Sequence, residues 1–109
     1  MTELLDRATA ETYASWFRAL ADPSRVQIVE YLARQGRPMP VGEIVAAAGL
    51  AQSTVSQHLK VLTEVRFVLV EAVGNARHYR INSNCIACFP SAADVVMGRP
   101  APTATGGCA

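Results

Sequence analysis

The spacing of apolar residues predicts two helices in the first third of the chain. The first helix is indicated by four apolar residues at i, i+3, i+4 and i+7, namely Tyr13, Trp16, Phe17 and Leu20. A second helix is predicted from Pro23, because Asp22 stands at the N-cap position and proline is tolerated at the first helical position. We expect this helix to end near Gly36. Its inward-facing residues are predicted to be Val26, Val29, Leu32 and Ala33.

The next segment predicts two further helices joined by a tight turn. Two prolines within residues 37–41 forbid a helix there and indicate a short extended link. A third helix is predicted over residues 42–48, with Gly49 as its C-terminal cap. After a turn at residues 50–52, a fourth helix is expected from about Ser53 to Val65. Its buried face is predicted to comprise Val55, Leu59 and Leu62.

The opposite face of the fourth helix is polar and rich in hydrogen-bond donors and acceptors. It comprises Gln52, Ser53, Thr54, Ser56, Gln57 and Lys60. Such side chains reach base edges and phosphates when a helix lies in the major groove of DNA. We therefore predict that these six residues bind DNA. The alternative is that they form only the solvated face of an amphipathic helix.

A β-hairpin is predicted after the fourth helix. Residues 67–70 are dense in β-forming residues, residues 74–75 mark a turn, and residues 77–81 return as a second strand. Two helices joined by a tight turn and followed by such a hairpin make a winged helix-turn-helix. The predicted fold is therefore mainly α with a β-hairpin wing.

The last quarter of the chain predicts a helix and a tail. An apolar helix is expected from about Asn84 to Met97, in which Pro90 must lie in the first turn or introduce a kink. Residues 98–109 are rich in Gly, Pro, Ala and Thr, which predicts disorder. We therefore expect one domain over residues 1–97, followed by a flexible tail that carries Cys108.

Composition and charge narrow the classes of function. A chain of 109 residues with few aromatic residues has a limited core, which a partner subunit would supplement. The net charge of +1 neither requires nor excludes nucleic acid. No signal peptide and no apolar run of about 18 residues is present, which predicts a cytoplasmic protein without a membrane partner. We expect that the protein is not an enzyme. The sequence has no phosphate-binding glycine loop, paired carboxylates or Ser/His/Asp arrangement in a context that favours catalysis.

Three separated motifs carry a family resemblance. They are ALADPSR at residues 19–25, QSTVSQHLKVL at residues 52–62 and RHYRI at residues 77–81. In this order and spacing they resemble the ArsR/SmtB family of bacterial metal-responsive repressors, and the similarity covers about residues 13–97. The resemblance implies that the fourth helix is the recognition helix and that Arg77 belongs to a DNA-contacting wing. It also implies a dimer formed by the first and last helices.

The chain departs from the family pattern at three places. The family's metalloid motif at the start of the third helix has two cysteines, whereas residues 40–42 contain none, so that site is absent. Ala51 replaces the hydroxyl residue that often caps the recognition helix, which forgoes about 1 kcal/mol unless Ser53 substitutes. The usual glycine after this helix is replaced around Val65 and Arg66. We expect a left-handed residue there or an altered exit to the wing.

The three cysteines all lie in the last quarter, which favours a binding site over a disulfide framework. Cys85 and Cys88 are three residues apart at the start of the last helix, where partial positive charge favours thiolates. Cys108, on the tail, has ample reach to join them. Three thiolates suit trivalent arsenic or antimony, or another soft metal ion, better than zinc. The alternatives are a small packing residue, an incidental tail cysteine and a thiol-redox pair.

The leading hypothesis is a homodimeric repressor that releases double-stranded operator DNA when trivalent arsenic or a similar thiophile binds the C-terminal cysteines. The competing hypotheses are a thiol-redox switch or metal-buffering protein, and a winged-helix module that senses nothing. No cofactor is required by the leading hypothesis. His58 is expected to pack between helices or contact phosphate, and His78 to contact DNA or solvent.

Overall fold

The computed structural model describes the backbone of residues 4–98 and the side chains of these residues except 85–88, 90 and 91. Within this range the elements are α1 (Arg7–Ala19), α2 (Pro23–Gln35), β1 (Met39–Pro40), α3 (Val41–Ala48), α4 (Gln52–Glu64), β2 (Val68–Val73), β3 (Ala76–Ile81) and α5 (Ser83–Val96). The strands form one antiparallel sheet in the order β1-β3-β2. The predicted mainly α fold with a β-hairpin wing is confirmed.

The predicted ends of α2 are confirmed by the hydrogen bonds at its caps. The Asp22 carboxylate accepts hydrogen bonds from the backbone N–H groups of Ser24 at 2.8 Å and Arg25 at 3.2 Å. Pro23 takes the first helical position, where its missing N–H leaves no bond unmade. Gly36 ends the helix with φ of 62°, a left-handed conformation that glycine adopts without steric cost.

The inward face of α2 differs from the prediction. Ile28 and Leu32 are buried, whereas Val26 is 47% exposed and Ala33 is exposed. The buried stripe begins at Arg25 and continues at i+3, i+4 and i+7, which is a regular helical stripe with a charged first member. The prediction is thus confirmed for Leu32 and for Val29, which packs against the core, and wrong for Val26 and Ala33, because the guanidinium of Arg25 is directed into the protein.

Part of residues 37–41, which were predicted to form an extended link, forms the short strand β1. In β1, Met39 pairs with Tyr79 and Pro40 with His78 of β3. Proline is compatible with this place because β1 is an edge strand, which leaves one side of its backbone without a ladder. Met39 is fully buried. The link therefore fastens the wing to the helical core.

The core forms where α2, α3 and α4 meet the start of the wing. It includes the three predicted α4 residues Val55, Leu59 and Leu62, all fully buried. Aromatic rings extend the core toward α1 and α5, since Phe67 lies 6.3 Å from Trp16 and 5.4 Å from Phe89 between ring centroids. Of the predicted α1 stripe, Trp16 is buried and Phe17 remains 36% exposed.

Both ends of α4 lie where the chain departs from the family pattern, at Ala51 and at Arg66. Ala51 is the N-cap residue, and its side chain makes no capping hydrogen bond. Arg66 has φ of 64°, the left-handed conformation expected at this exit. The Asn82 side chain supports it by donating a hydrogen bond to the Arg66 carbonyl at 2.8 Å. The fold therefore accommodates a non-glycine residue where the chain leaves α4.

The last described helix runs through Pro90 rather than beginning with it. Pro90 lies in the interior of α5, so the predicted alternative that places it in the first turn is wrong. A proline at this position removes one backbone N–H donor from the helix. The predicted tail beyond Gly98, with Cys108, lies outside the described residues. Over residues 4–98, no helix has the length and apolarity that crossing a membrane requires.

The double role of Asn82 gives a test of this arrangement. Its Oδ1 caps α5 by accepting from the Asn84 N–H at 3.2 Å, while its side-chain amide supports Arg66. We expect Asn82→Ala to lower the free energy of unfolding by about 1–2 kcal/mol, through one lost cap and one lost hydrogen bond. Asn82→Ser keeps a capping oxygen but is too short to reach Arg66, so it should lose about half as much. Urea unfolding followed by circular dichroism measures both, and equal stability of all three proteins would contradict the assignment.

Candidate nucleic-acid interface

The polar face of α4 is exposed to solvent. All six predicted residues are exposed, namely Gln52, Ser53, Thr54, Ser56, Gln57 and Lys60. The face exists because the buried residues at 55, 59 and 62 turn the apolar side of the helix into the core. A helix of this length is about 20 Å long, which suits insertion into a major groove about 12 Å wide.

A groove lies between α4 and the wing and brings two predicted regions together. Ser56 and Lys60 line its helical side, and Arg77 lines its wing side. Lys60 and Arg77 place two cationic side chains in one concave surface. The other four predicted α4 residues are exposed outside this groove. The groove and the free face of α4 together form a surface whose donors and cations match phosphates and base edges.

The groove contains residues that the sequence did not single out. Thr63, Asn75 and Tyr79 also line it. Thr63 could have been found from helical spacing, because residues 56, 60 and 63 stand at i, i+4 and i+7 of one stripe. Asn75 was noted only as a turn residue, and its place in the groove depends on how the hairpin folds back on α4.

A polar cluster lies behind α4, on the side away from the free face. His58 is mostly buried, with 14% of its side chain exposed. Its Nδ1 lies 3.4 Å from Arg25 Nη1, and its Nε2 lies 4.0 Å from Asp22 Oδ1. Of the two roles expected for His58, the structure therefore supports packing between helices.

The Asp22 carboxylate is held in its charged form by this cluster. Burial acts to raise the pKa of Asp22, but the backbone N–H bonds from Arg25 and Ser24, the nearby His58 imidazole and the charge of Arg25 oppose it. The net result is a pKa below the ordinary value of 3.8. The N-cap of α2 therefore remains an anion, which is favourable beside the positive end of the helix macrodipole.

The second histidine belongs to the wing. His78 is partly buried on β3, where it stands opposite Glu71 of β2 and Pro40 of β1. Its neighbour Arg77 is exposed. Arg77 is therefore better placed than His78 to meet a ligand in front of the wing.

Cys85 and Cys88 lie on α5, near its N-terminus, three positions apart. Asn82 caps this end of the helix with its side-chain oxygen. The side chains of both cysteines and the whole of Cys108 lie outside the described part, so the thiol site stays a prediction. Among the described side chains, no three His, Cys, Asp or Glu residues stand close enough together to hold a metal ion.

Comparison with known proteins gives a consistent family relationship. A family model described as "Bacterial regulatory protein, arsR family" matches residues 22–69, which extend from the N-cap of α2 into β2. A transcriptional repressor SmtB homolog from Synechocystis is 35% identical over 82 residues, or 75% of this chain and 61% of the relative. A probable mercury resistance operon repressor from Streptomyces lividans is 34% identical over 87 residues, or 80% of this chain and 63% of the relative. The chain thus spans less than two thirds of either relative's length.

A solved structure supports the same relationship. It is the homodimeric winged helix-turn-helix DNA-binding domain of Mb0332 from Mycobacterium bovis, described as a possible ArsR-family transcriptional regulator. The TM-score is 0.68 at 28% identity, with 89% of this chain and 91% of that chain covered. The predicted winged helix-turn-helix is confirmed by this match. All three proteins are named as transcriptional regulators or DNA-binding domains, in agreement with the prediction that the chain is not an enzyme.

Proposed function

Since the chain belongs to the ArsR family of bacterial regulatory proteins, we propose that it is a homodimeric repressor of transcription that binds double-stranded operator DNA. The observation that supports this most is the groove that joins the α4 face to Arg77 of the wing. A solvated amphipathic helix would need no cationic wing residue beside it. The concave shape and the pair of cations therefore favour a DNA contact over the solvated-face alternative.

The proposed contacts divide into base readout and backbone contacts. Gln57 and Ser56 carry polar groups that can contact base edges in the major groove. Thr54 and Lys60 can also contact phosphates. Arg77 on the wing meets phosphate or the minor groove. Phosphate contacts contribute affinity for any sequence, and base contacts contribute the specificity.

The proposed dimer uses α1 and α5. Exposed apolar side chains occur on or beside these two helices, namely Leu5, Phe17, Val96 and Met97. Phe17 also stacks edge to face on Phe89 at 5.3 Å between centroids, so the two helices share one apolar surface. Burying this surface in a two-fold dimer stabilises a small domain and presents two recognition helices to two half-sites.

Substitutions on the two sides of the groove should have different effects. We expect Gln57→Ala or Ser56→Ala to weaken specific binding by about 1–3 kcal/mol if the side chain meets a base edge. Arg77→Ala should weaken all duplexes about equally and lower the slope of log affinity against log salt by about 1. Fluorescence anisotropy with a palindromic duplex, selected by the wild-type protein from a random library, measures both effects.

The matched control is Arg34→Ala, because Arg34 is an exposed arginine on α2 whose ion pair with Glu30 lies outside the groove. Its removal should leave affinity and salt slope unchanged. Wild-type affinity in the Gln57, Ser56 and Arg77 variants together would contradict the proposed interface.

We further propose that Cys85 and Cys88, with Cys108, bind trivalent arsenic or a similar thiophile as the inducer. The donor chemistry supports this, because thiolates prefer soft ions and Cys85 lies in the first turn of α5, where the positive end of the helix dipole favours a thiolate. The name of the Streptomyces lividans relative, a mercury resistance operon repressor, agrees with a thiophilic inducer. An inducer releases DNA only through its preference for the free conformation.

Serine substitutions separate sensing from DNA binding. We expect Cys85→Ser and Cys88→Ser to bind the selected duplex with wild-type affinity but to remain bound when arsenite is added. Cys108→Ser should have a smaller effect, since the tail ligand completes a site that the other two begin. Titrating arsenite, antimonite, cadmium and zinc in parallel identifies the preferred ion.

The decisive protein is the Cys85→Ser, Cys88→Ser double variant. If it releases DNA at the arsenite concentration that releases the wild type, the sensing site lies elsewhere. Release of the wild type by an oxidant but not by arsenite would instead favour a thiol-redox switch.

A further inference from the structure

The side chain of Arg25 joins the end of α1 to the beginning of α2. Its Nε donates to the Ala19 carbonyl at 2.6 Å, and its Nη2 donates to the Arg18 carbonyl at 3.5 Å. The last carbonyls of a helix lack their usual partners within the helix. The Arg18 carbonyl also accepts from the Ala21 N–H at 3.1 Å, so the guanidinium adds a second donor there and a donor to the Ala19 carbonyl. Its charge is also favourable beside the negative end of the α1 macrodipole.

The same guanidinium reaches the recognition helix. Nη1 of Arg25 lies 3.4 Å from Nδ1 of His58, in a partly buried contact between residues 33 positions apart in the chain. Because Arg25 can only donate, Nδ1 of His58 must accept, and the imidazole proton belongs on Nε2, toward Asp22 at 4.0 Å. One arginine therefore connects three helices, with two of its contacts on α1 and one on α4.

Among the residues that the structure describes, His58 is the one residue of α4 whose side chain makes a hydrogen bond to another element. The side-chain hydrogen bond of Thr63 stays within α4. The apolar contacts of Val55, Leu59 and Leu62 decide which side of α4 faces the core, and a hydrogen bond adds a constraint on direction that apolar contacts do not supply. The N-cap Ala51 adds no side-chain bond. A directional hydrogen bond in the middle of the helix thus limits its rotation about its own axis.

We propose that the Arg25–His58 contact is a positioning contact that sets the orientation of α4 relative to α1. The inference rests on the proposed function, in which α1 belongs to the dimer interface and α4 enters the major groove. Fixing α4 against α1 in each subunit fixes the separation of the two recognition helices in the dimer. The contact therefore determines which half-site spacing the dimer accepts, although neither residue touches DNA.

The test compares His58→Leu with His58→Asn. Leucine is similar in size and a better helix former, but it cannot accept a hydrogen bond. Asparagine is a poorer helix former but carries an oxygen close to the position of Nδ1. The probes are the palindromic duplex selected by the wild-type protein, versions with one base pair inserted or deleted between the half-sites, and a version with one half-site scrambled. Anisotropy gives the affinity of each protein for each duplex.

We expect the wild type and His58→Asn to prefer the selected spacing over the altered ones. In His58→Leu this preference should fall by about threefold to tenfold, the range that one lost hydrogen bond represents. Affinity for the scrambled half-site duplex should stay the same, because the recognition surface itself is unchanged. Arg25→Lys should behave like His58→Leu, since a lysine keeps the charge but cannot bridge the Ala19 carbonyl and His58 together.

Two results would overturn the inference. The first is an unchanged spacing preference in both His58→Leu and Arg25→Lys, with circular dichroism showing that at least one of them is folded. The second is equal weakening on every duplex, including the scrambled one, which would place His58 in local support of the recognition surface. If the wild type selects no palindromic duplex at all, the proposed function fails first, and the inference fails with it.

Discussion

The burial of one face of α4 is the constraint on which the rest of the structure depends. Val55, Leu59 and Leu62 are fully buried, and together they decide which side of the helix remains outside. Burying a side chain of this kind stabilises the fold by about 1.5–3 kcal/mol, far more than any single polar contact on the opposite face. The polar face is therefore exposed as a consequence of the core, and it remains available for a ligand.

Polar contacts then connect this helix to its surroundings. Arg25 connects the carboxyl end of α1 to His58, while Asn82 supports the left-handed Arg66 where the chain leaves α4. On the far side, β1 pairs with β3 and fastens the wing to the helices. The wing cation Arg77 thus faces the same groove as Lys60, although the two residues belong to different elements.

Features that depend on a few neighbouring residues could be predicted from the sequence. Features that depend on contacts between residues far apart in the chain could not. Asp22 and Gly36 predicted the ends of α2 correctly, because a cap depends on a few neighbouring residues. The inward face of α2 was predicted only in part, because the role of Arg25 depends on contacts with α1 and α4. The pairing of β1 depends on β3, about 40 residues further along the chain, and no local pattern indicates it. The exposed positions of the six α4 residues were predicted correctly from helical periodicity, whereas their binding to DNA, like that of Arg77, stays a prediction.

We propose, above all, that two copies of this winged helix-turn-helix bind operator DNA through α4 and the wing. Hydroxyl-radical footprinting of the selected duplex tests this most directly, because it records which sugars the protein covers. We expect two protected stretches on one face of the duplex, separated by about one helical turn or a multiple of it. A single protected stretch, or even protection along the whole duplex, would contradict it.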